Sequence, residues 1–147
     1  MEVGTKKIDT KYIIIIALAA VIGSIAGRYI IDGINGKQNS FDKVLVKTAN
    51  ELNKNLPMMM DSETRLDTTM ALPGKEYVYY ISVINYTVDE IDIEIFGNEI
   101  KPNLLNNVKT NSNMETFREN NVTLSYVYRD KNKNEIIRIK ITPEDYK

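Results

Sequence analysis

Residues 12–31 read YIIIIALAAVIGSIAGRYII, an apolar run whose one charge is Arg28, near its C-terminal end. As a helix rising ~1.5 Å per residue, such a run spans about 30 Å, the hydrocarbon thickness of a bilayer. A long arginine at the end of a span reaches the headgroups by snorkelling. A soluble core helix this apolar all round needs a larger protein to surround it. A cleaved signal peptide is the nearer alternative: Lys6, Lys7 and Lys11 make a basic start, and Ser24, Ile25 and Ala26 offer a small-residue cleavage site. The apolar run resumes at Tyr29, Ile30 and Ile31, which favours an uncleaved signal-anchor. The lysines ahead of the span, set against Arg28 and Lys37 after it, favour a cytoplasmic N-terminus.

Beyond the span, residues 32–39 (DGINGKQN) lack apolar periodicity and read as a linker. Phe41, Val44, Leu45, Thr48, Leu52 and Leu56 then fall at helical spacing, with Ser40 as a cap, and predict a helix over 41–55 that stops before Pro57. Leu66, Thr68, Met70 and Leu72 alternate with Arg65, Asp67 and Thr69, the period of a half-buried strand. Pro73 and Gly74 signal a turn. Residues 76–86 (EYVYYISVINY) are β-branched and aromatic on both faces and predict a central strand.

Residues 88–100 admit two readings. Ile91, Ile93 and Ile95 alternate as in a strand, whereas a Thr87–Glu90 capping box followed by Ile91, Ile95, Phe96 and Ile100 fits a helix. The helix is preferred, broken and restarted near Pro102. A second capping box, Ser112 with Glu115, opens a short helix ending at Asn120 and Asn121. Val122, Leu124, Tyr126 and Tyr128, the turn DKNKN, and Ile137, Ile139 and Ile141 predict a hairpin.

The order α-β-β-α-α-β-β predicts an α+β fold: an N-terminal transmembrane helix, then a two-layer domain with a four-stranded antiparallel sheet and helices on one face. The implied organisation is a cytoplasmic tail (1–11), the anchor (12–31), the linker (32–39) and an extracytoplasmic α+β domain (40–147) at the cell membrane, or a secreted or periplasmic domain after signal cleavage. Ala19, Gly23 and Gly27 recur every four residues in the span, a spacing that suits transmembrane helix packing and a homodimer.

Charge and composition narrow the chemistry. The whole chain has a formal net charge of −1, and residues 32–147 hold more acids than bases, so no basic stripe points to nucleic acid. The chain has neither cysteine nor histidine, which excludes disulfides, thiol nucleophiles, the common zinc sites and Ser-His-Asp catalysis. No cofactor is implied. Met58, Met59, Asp61, Glu63, Arg65 and Asp67 form a candidate interaction patch, with the methionines as an adaptable apolar contact. The blander reading has Asp61 capping a turn, Arg65 and Asp67 pairing across strands, and the methionines filling the core. The acids Asp89, Glu90, Asp92, Glu94 and Glu99 lack any calcium-loop spacing and read as a solvated face. Tyr77, Tyr79, Tyr80, Tyr86, Tyr126 and Tyr128 suit either an exposed binding face or cross-strand packing.

The stretch LNKNLPMMMDSETRLDT, residues 52–68, resembles a group of small uncharacterised membrane-anchored bacterial proteins with the pattern LNK-x-LPMMVD-x-x-TRLDT. In that group a tyrosine-rich strand and a late Y-x-Y-x-D strand and turn follow, matched here by Tyr77 to Tyr80 and Tyr126 to Asp130. Met60 departs from the group's valine, and Lys133 stands where a turn glycine is expected. The resemblance spans about residues 50–147 and implies the domain limits and the anchored arrangement, with no established activity. The resulting expectation is a membrane-tethered accessory domain of a bacterial cell-envelope complex, with a protein partner, acting by binding. An immunity-type inhibitor and a carboxylate-dependent envelope hydrolase are the alternatives.

Overall fold

The computed structural model describes residues 41–147. The expected span over 12–31 and its packing positions Ala19, Gly23 and Gly27 lie outside them. Among the described residues no helix is long and apolar enough to cross a membrane. Their elements are α1 (Phe41–Asn53), β1 (Met58–Met59), β2 (Thr64–Leu72), β3 (Glu76–Val83), α2 (Ile93–Thr110), α3 (Glu115–Glu119), β4 (Thr123–Arg129), β5 (Glu135–Ile141) and α4 (Pro143–Tyr146). The fold is α+β, as expected, but the sheet has five strands, in the order β1-β2-β3-β4-β5, and it is mixed.

The fully antiparallel arrangement fails at one pair. Strands β3 and β4 run parallel, with Val78 opposite Ser125 and Tyr80 opposite Val127. The 18-residue helix α2 lies between them in sequence. A helical crossover carries the chain back to the end of the sheet where β3 began, which makes the next strand parallel. The remaining pairs are antiparallel, including the expected β4–β5 hairpin.

A second correction concerns β2. The pairing shifts between Leu66 and Thr68, so Asp67 is an extra residue in a β-bulge. Thr64 and Leu66 are buried before it, and Thr69 after it, while Met70 is exposed. The expected alternation of Leu66, Thr68, Met70 and Leu72 therefore holds only to Leu66, because one inserted residue turns every later side chain to the opposite face.

Helix α1 buries Leu45, Thr48, Ala49 and Leu52, and ends at Asn53, two residues earlier than the spacing predicts. Beyond it the Leu56–Pro57 peptide is cis. The helical reading of residues 88–100 holds with changed boundaries. The Thr87–Glu90 capping box is present but closes only a 3₁₀ turn, Val88–Glu90. The helix itself is capped by the Asp92 carboxylate, which accepts from the Ile95 N–H. It runs unbroken through Pro102. Phe96, Ile100, Leu104 and Val108 keep one buried face throughout, while Asn98 and Pro102 are exposed, so the carbonyl freed by the proline faces solvent. After α2, Asn111 rather than Ser112 caps the 3₁₀ turn Ser112–Met114, and Asn121 takes the left-handed conformation expected of it (φ 57°).

Both long helices pack on one face of the sheet and share a single core. Tyr77 and Tyr79 on β3, with Tyr126 and Tyr128 on β4, are fully buried there against Leu45, Leu52, Phe96 and Phe117. Tyr79 stacks on Tyr126 at 5.0 Å between ring centres, and Phe96 meets Tyr128 edge-on at 5.4 Å. These four tyrosines serve cross-strand packing. On the opposite face no described helix packs.

Candidate functional site

That second face is where the sequence patch partly assembles. In register across the sheet, Met59 faces Arg65, Arg65 faces Ser82, and Ser82 faces Arg129. The bulge adds Asp67 to the same face. Its Oδ1 accepts from Arg65 Nε at 2.6 Å, and its Oδ2 accepts from Lys133 Nζ at 2.7 Å and from the Ser82 hydroxyl. Lys133 also donates to Ser82 Oγ at 2.9 Å. Arg65 thus pairs with Asp67 on its own strand, while Asp67 also pairs with Lys133 from the β4–β5 turn. The two side chains, two residues apart on one face, are brought together by the kink between them.

The electrostatics follow from this geometry. Burial pushes the Asp67 carboxyl up, but the donors from Lys133, Ser82 and Arg65 outweigh it and hold it below its ordinary value. The Asp67 side chain keeps 15% of its surface exposed, against 34% for Arg65 and 50% for Lys133, so the acid sits under a cationic rim.

Beside this cluster, Arg129 lies over the Tyr80 ring with its guanidinium carbon 4.5 Å from the centroid. Arg138 pairs with Glu135 at 3.1 Å. Glu76 accepts from the Ser125 hydroxyl at 2.6 Å and pairs with Lys140 at 3.3 Å. The Ser125 hydrogen bond and the Lys140 charge keep Glu76 below its ordinary value.

Lys133 reaches the cluster from the β4–β5 turn, where its φ is 70°, a conformation that favours glycine. The turn is organised by Asp130, which is buried and accepts from the N–H groups of Val88, Asn132 and Asn134 at 3.0, 2.8 and 2.8 Å. Burial alone raises a carboxyl; these donors and the Asn134 amide hold Asp130 below its ordinary value instead.

The rest of the expected patch has structural work. Asp61 Oδ1 accepts from the N–H groups of Glu63 and Thr64 at 2.7 and 2.8 Å, closing the turn into β2. The Glu63 carboxylate accepts from the Asn85 amide. Met59 is 49% exposed beside Arg65, and Met58 is half-buried, so neither fills the core; Met60 packs against it. Of the tyrosines only Tyr80 takes part in the polar face. Of the acid run, Glu90 and Asp92 serve as capping groups. Among the described residues no three carboxylates are grouped to hold a metal ion.

The sequence pattern singled out Tyr80 with the other tyrosines but not Ser82, Lys133 or Arg129 as members of this face. Lys133 was signalled by its place at a glycine position, and Arg129 by its place in the Y-x-Y-x-D stretch. Ser82 carried no signal, since its role depends on strand register.

A concavity of about 360 Å³ lies between α2 and β5 and includes Ile93, Gly97, Lys101, Ile137 and Arg138. A Cβ on Gly97 would stand 2.7 Å from Ile137 Cδ1, so the glycine permits the close approach of helix to strand.

No curated protein matches the chain significantly in sequence. Among solved structures it is similar to a Pseudomonas aeruginosa protein assigned as secreted, at 14% identity and a TM-score of 0.62, over 75% of this chain and 100% of that one. It is also similar to the type II secretion system pilotin AspS of Vibrio cholerae (11% identity, TM-score 0.51, 71% and 90% of the two chains). The type II secretion pilotin EpsS of Vibrio vulnificus gives 9% identity and a TM-score of 0.57, over 72% and 91%. At these identities the likeness is one of fold. Residues 40–137 match the domain of unknown function DUF8479, and the chain belongs to that family.

Proposed function

We propose that the chain is a membrane-tethered extracytoplasmic domain that binds a protein partner as an accessory factor of a bacterial envelope complex, and that the sheet face on which no described helix packs is the contact surface. The observation that carries this reading is the Arg65–Asp67–Ser82–Lys133 cluster. It draws on two strands and a distant turn, and it includes a lysine in a conformation that costs a non-glycine residue ~1 kcal/mol or more. Backbone strain concentrates where a surface has a task beyond folding. The fold shared with a protein assigned as secreted and with two pilotins supports a place in the envelope. The apolar run at 12–31 supports the tether.

A photo-crosslinking residue placed at Met59 in the full chain tests the reading in intact cells. The expected result is a discrete crosslinked partner, absent when the probe stands at Lys109 on α2. The same crosslinks from both positions would overturn it. So would a wild-type phenotype in the double variant Arg65→Ala, Lys133→Ala.

A further inference from the structure

Among the described residues, the charges on the sheet face opposite the helices do not balance locally. Asp67 is shared by Arg65 and Lys133, Glu76 is taken by Lys140 and Ser125, and Glu135 by Arg138. Arg129 rests on Tyr80 and has no carboxylate in salt-bridge reach among the described residues. Arg65 meets Asp67 through Nε. Asp67 thus offsets one of the two cations it touches, and Arg129 adds a further positive charge, on a chain whose net charge is −1.

The surplus is also focused. Arg65 and Arg129 face Ser82 from either side, so their backbones stand about 10 Å apart across three strands. Two long arginines at that separation can converge on one carboxylate placed above Ser82 and the Lys133 amine. A guanidinium presents paired N–H donors that match a carboxylate, and stacking on a ring leaves those edge donors free. The exposed apolar side chains on this face are methionines, Met59 and Met70, at 49% and 46%.

We propose that the Arg65–Ser82–Arg129 row receives a side-chain carboxylate from an acidic segment of a protein partner, flanked by apolar residues that meet Met59 and Met70. This rests on the reading of the sheet face as the contact surface and names what that surface recognises. The charge pattern favours a protein over an anionic bilayer. A lipid surface presents its charge over an extended area and would meet Asp67, Glu76 and Glu135 as well. A single inserted carboxylate meets only the surplus.

The test is peptide binding to the full chain in a non-ionic detergent, followed by fluorescence anisotropy. The probes are a blocked heptapeptide of alternating valine and glutamate and its glutamine counterpart, with phosphatidylglycerol vesicles as a third arm. The glutamate peptide should bind about tenfold more tightly than the glutamine peptide, and Arg129→Gln should remove most of that difference. Lys109→Gln should leave it unchanged, and thermal melting of each variant separates lost binding from lost fold. Equal binding of the two peptides overturns the proposal, as does insensitivity to Arg129→Gln. So does capture by the vesicles without capture of the glutamate peptide. If the peptides fail while the crosslink from Met59 persists, the carboxylate assignment falls and the contact surface stands.

Discussion

The Lys133 ammonium lies 2.7 Å from the Asp67 carboxylate, joining the β4–β5 turn to the bulge in β2 across 66 positions of sequence. Neither partner sits in an ordinary place. Asp67 is the residue that β3 leaves unpaired, and Lys133 is held at positive φ. Removing the ion pair and removing the backbone strain are therefore separable experiments.

Lys133→Ala should lose the pair and keep the strain, whereas Lys133→Gly loses the pair and relieves the strain. An exposed pair contributes ~0–1 kcal/mol, and a left-handed non-glycine residue costs about 1 kcal/mol. The glycine variant should thus match the wild type within about 1 kcal/mol and exceed the alanine variant by a similar amount, read by denaturant unfolding of the full chain. An alanine variant as stable as the glycine variant would contradict the conformation assigned to Lys133.

Asn53 offers a sharper stability test. Its amide donates to the Thr69 carbonyl at 2.8 Å and accepts from the Thr69 N–H at 2.8 Å. Strand β1 ends opposite Arg65 and Leu66, and the Asn53 side chain supplies the donor and acceptor that further strand residues would supply to β2. Thr69 is 3% exposed, so Asn53→Ala leaves its main chain short of partners and should cost about 2–4 kcal/mol. Asn53→Asp keeps the acceptor but loses the donor, and should fall between the two. A melting temperature unchanged in Asn53→Ala would refute this account.

The buried tyrosines divide by hydroxyl. Tyr77 donates to Thr69 Oγ1 at 3.0 Å, whereas the Tyr126 and Tyr128 hydroxyls have no hydrogen-bond partner among the described residues. Tyr77→Phe should destabilise the protein by about 1 kcal/mol. Tyr126→Phe and Tyr128→Phe should be neutral or stabilising by up to about 1 kcal/mol each, since each removes a desolvated group and keeps the ring. Loss of stability in both would reveal partners for those hydroxyls.

Acid should weaken the fold through the same cluster that marks the sheet face. The folded Asp67 carboxyl titrates below its ordinary value of 3.8, so its contribution is complete above that pH and is lost as the pH falls through the lower folded value. Glu76 acts in the same direction from an ordinary value of 4.5. Stability measured from pH 6 downward should hold to about pH 4.5 and then decline. Asp67→Asn should flatten part of that decline; an unaltered slope would mean that Asp67 is not held by its donors.

The sequence made the elements legible wherever periodicity alone decides them. Leu45, Thr48 and Leu52 mark α1, and Leu124, Tyr126 and Tyr128 mark β4, because each buried face repeats without interruption. It was silent where a single residue changes the count. Nothing in TRLDTTM distinguishes a bulged Asp67 from a regular strand, so Thr69 was assigned outward although it is buried. Parallel pairing of β3 and β4 was implied by the helix between them, but strand order leaves no local trace. The candidate site was half legible for the same reason. Arg65 and Asp67 are neighbours in sequence, whereas Ser82, Arg129 and Lys133 reach them only through register and a turn.

The parallel pairing of β3 and β4 also sets an order of events during synthesis. The β2–β3 hairpin is complete when Val83 has emerged, yet β3 has no second neighbour until the crossover helix and all of β4 have followed. For a few seconds, at ~5–20 residues per second, the aromatic strand EYVYYISV presents an unpaired edge. Open edges of that composition are templates for aggregation. A chain that stalls or is cut between Val83 and Thr123 leaves that edge open for good, so truncated products should be far less soluble than point variants of equal instability.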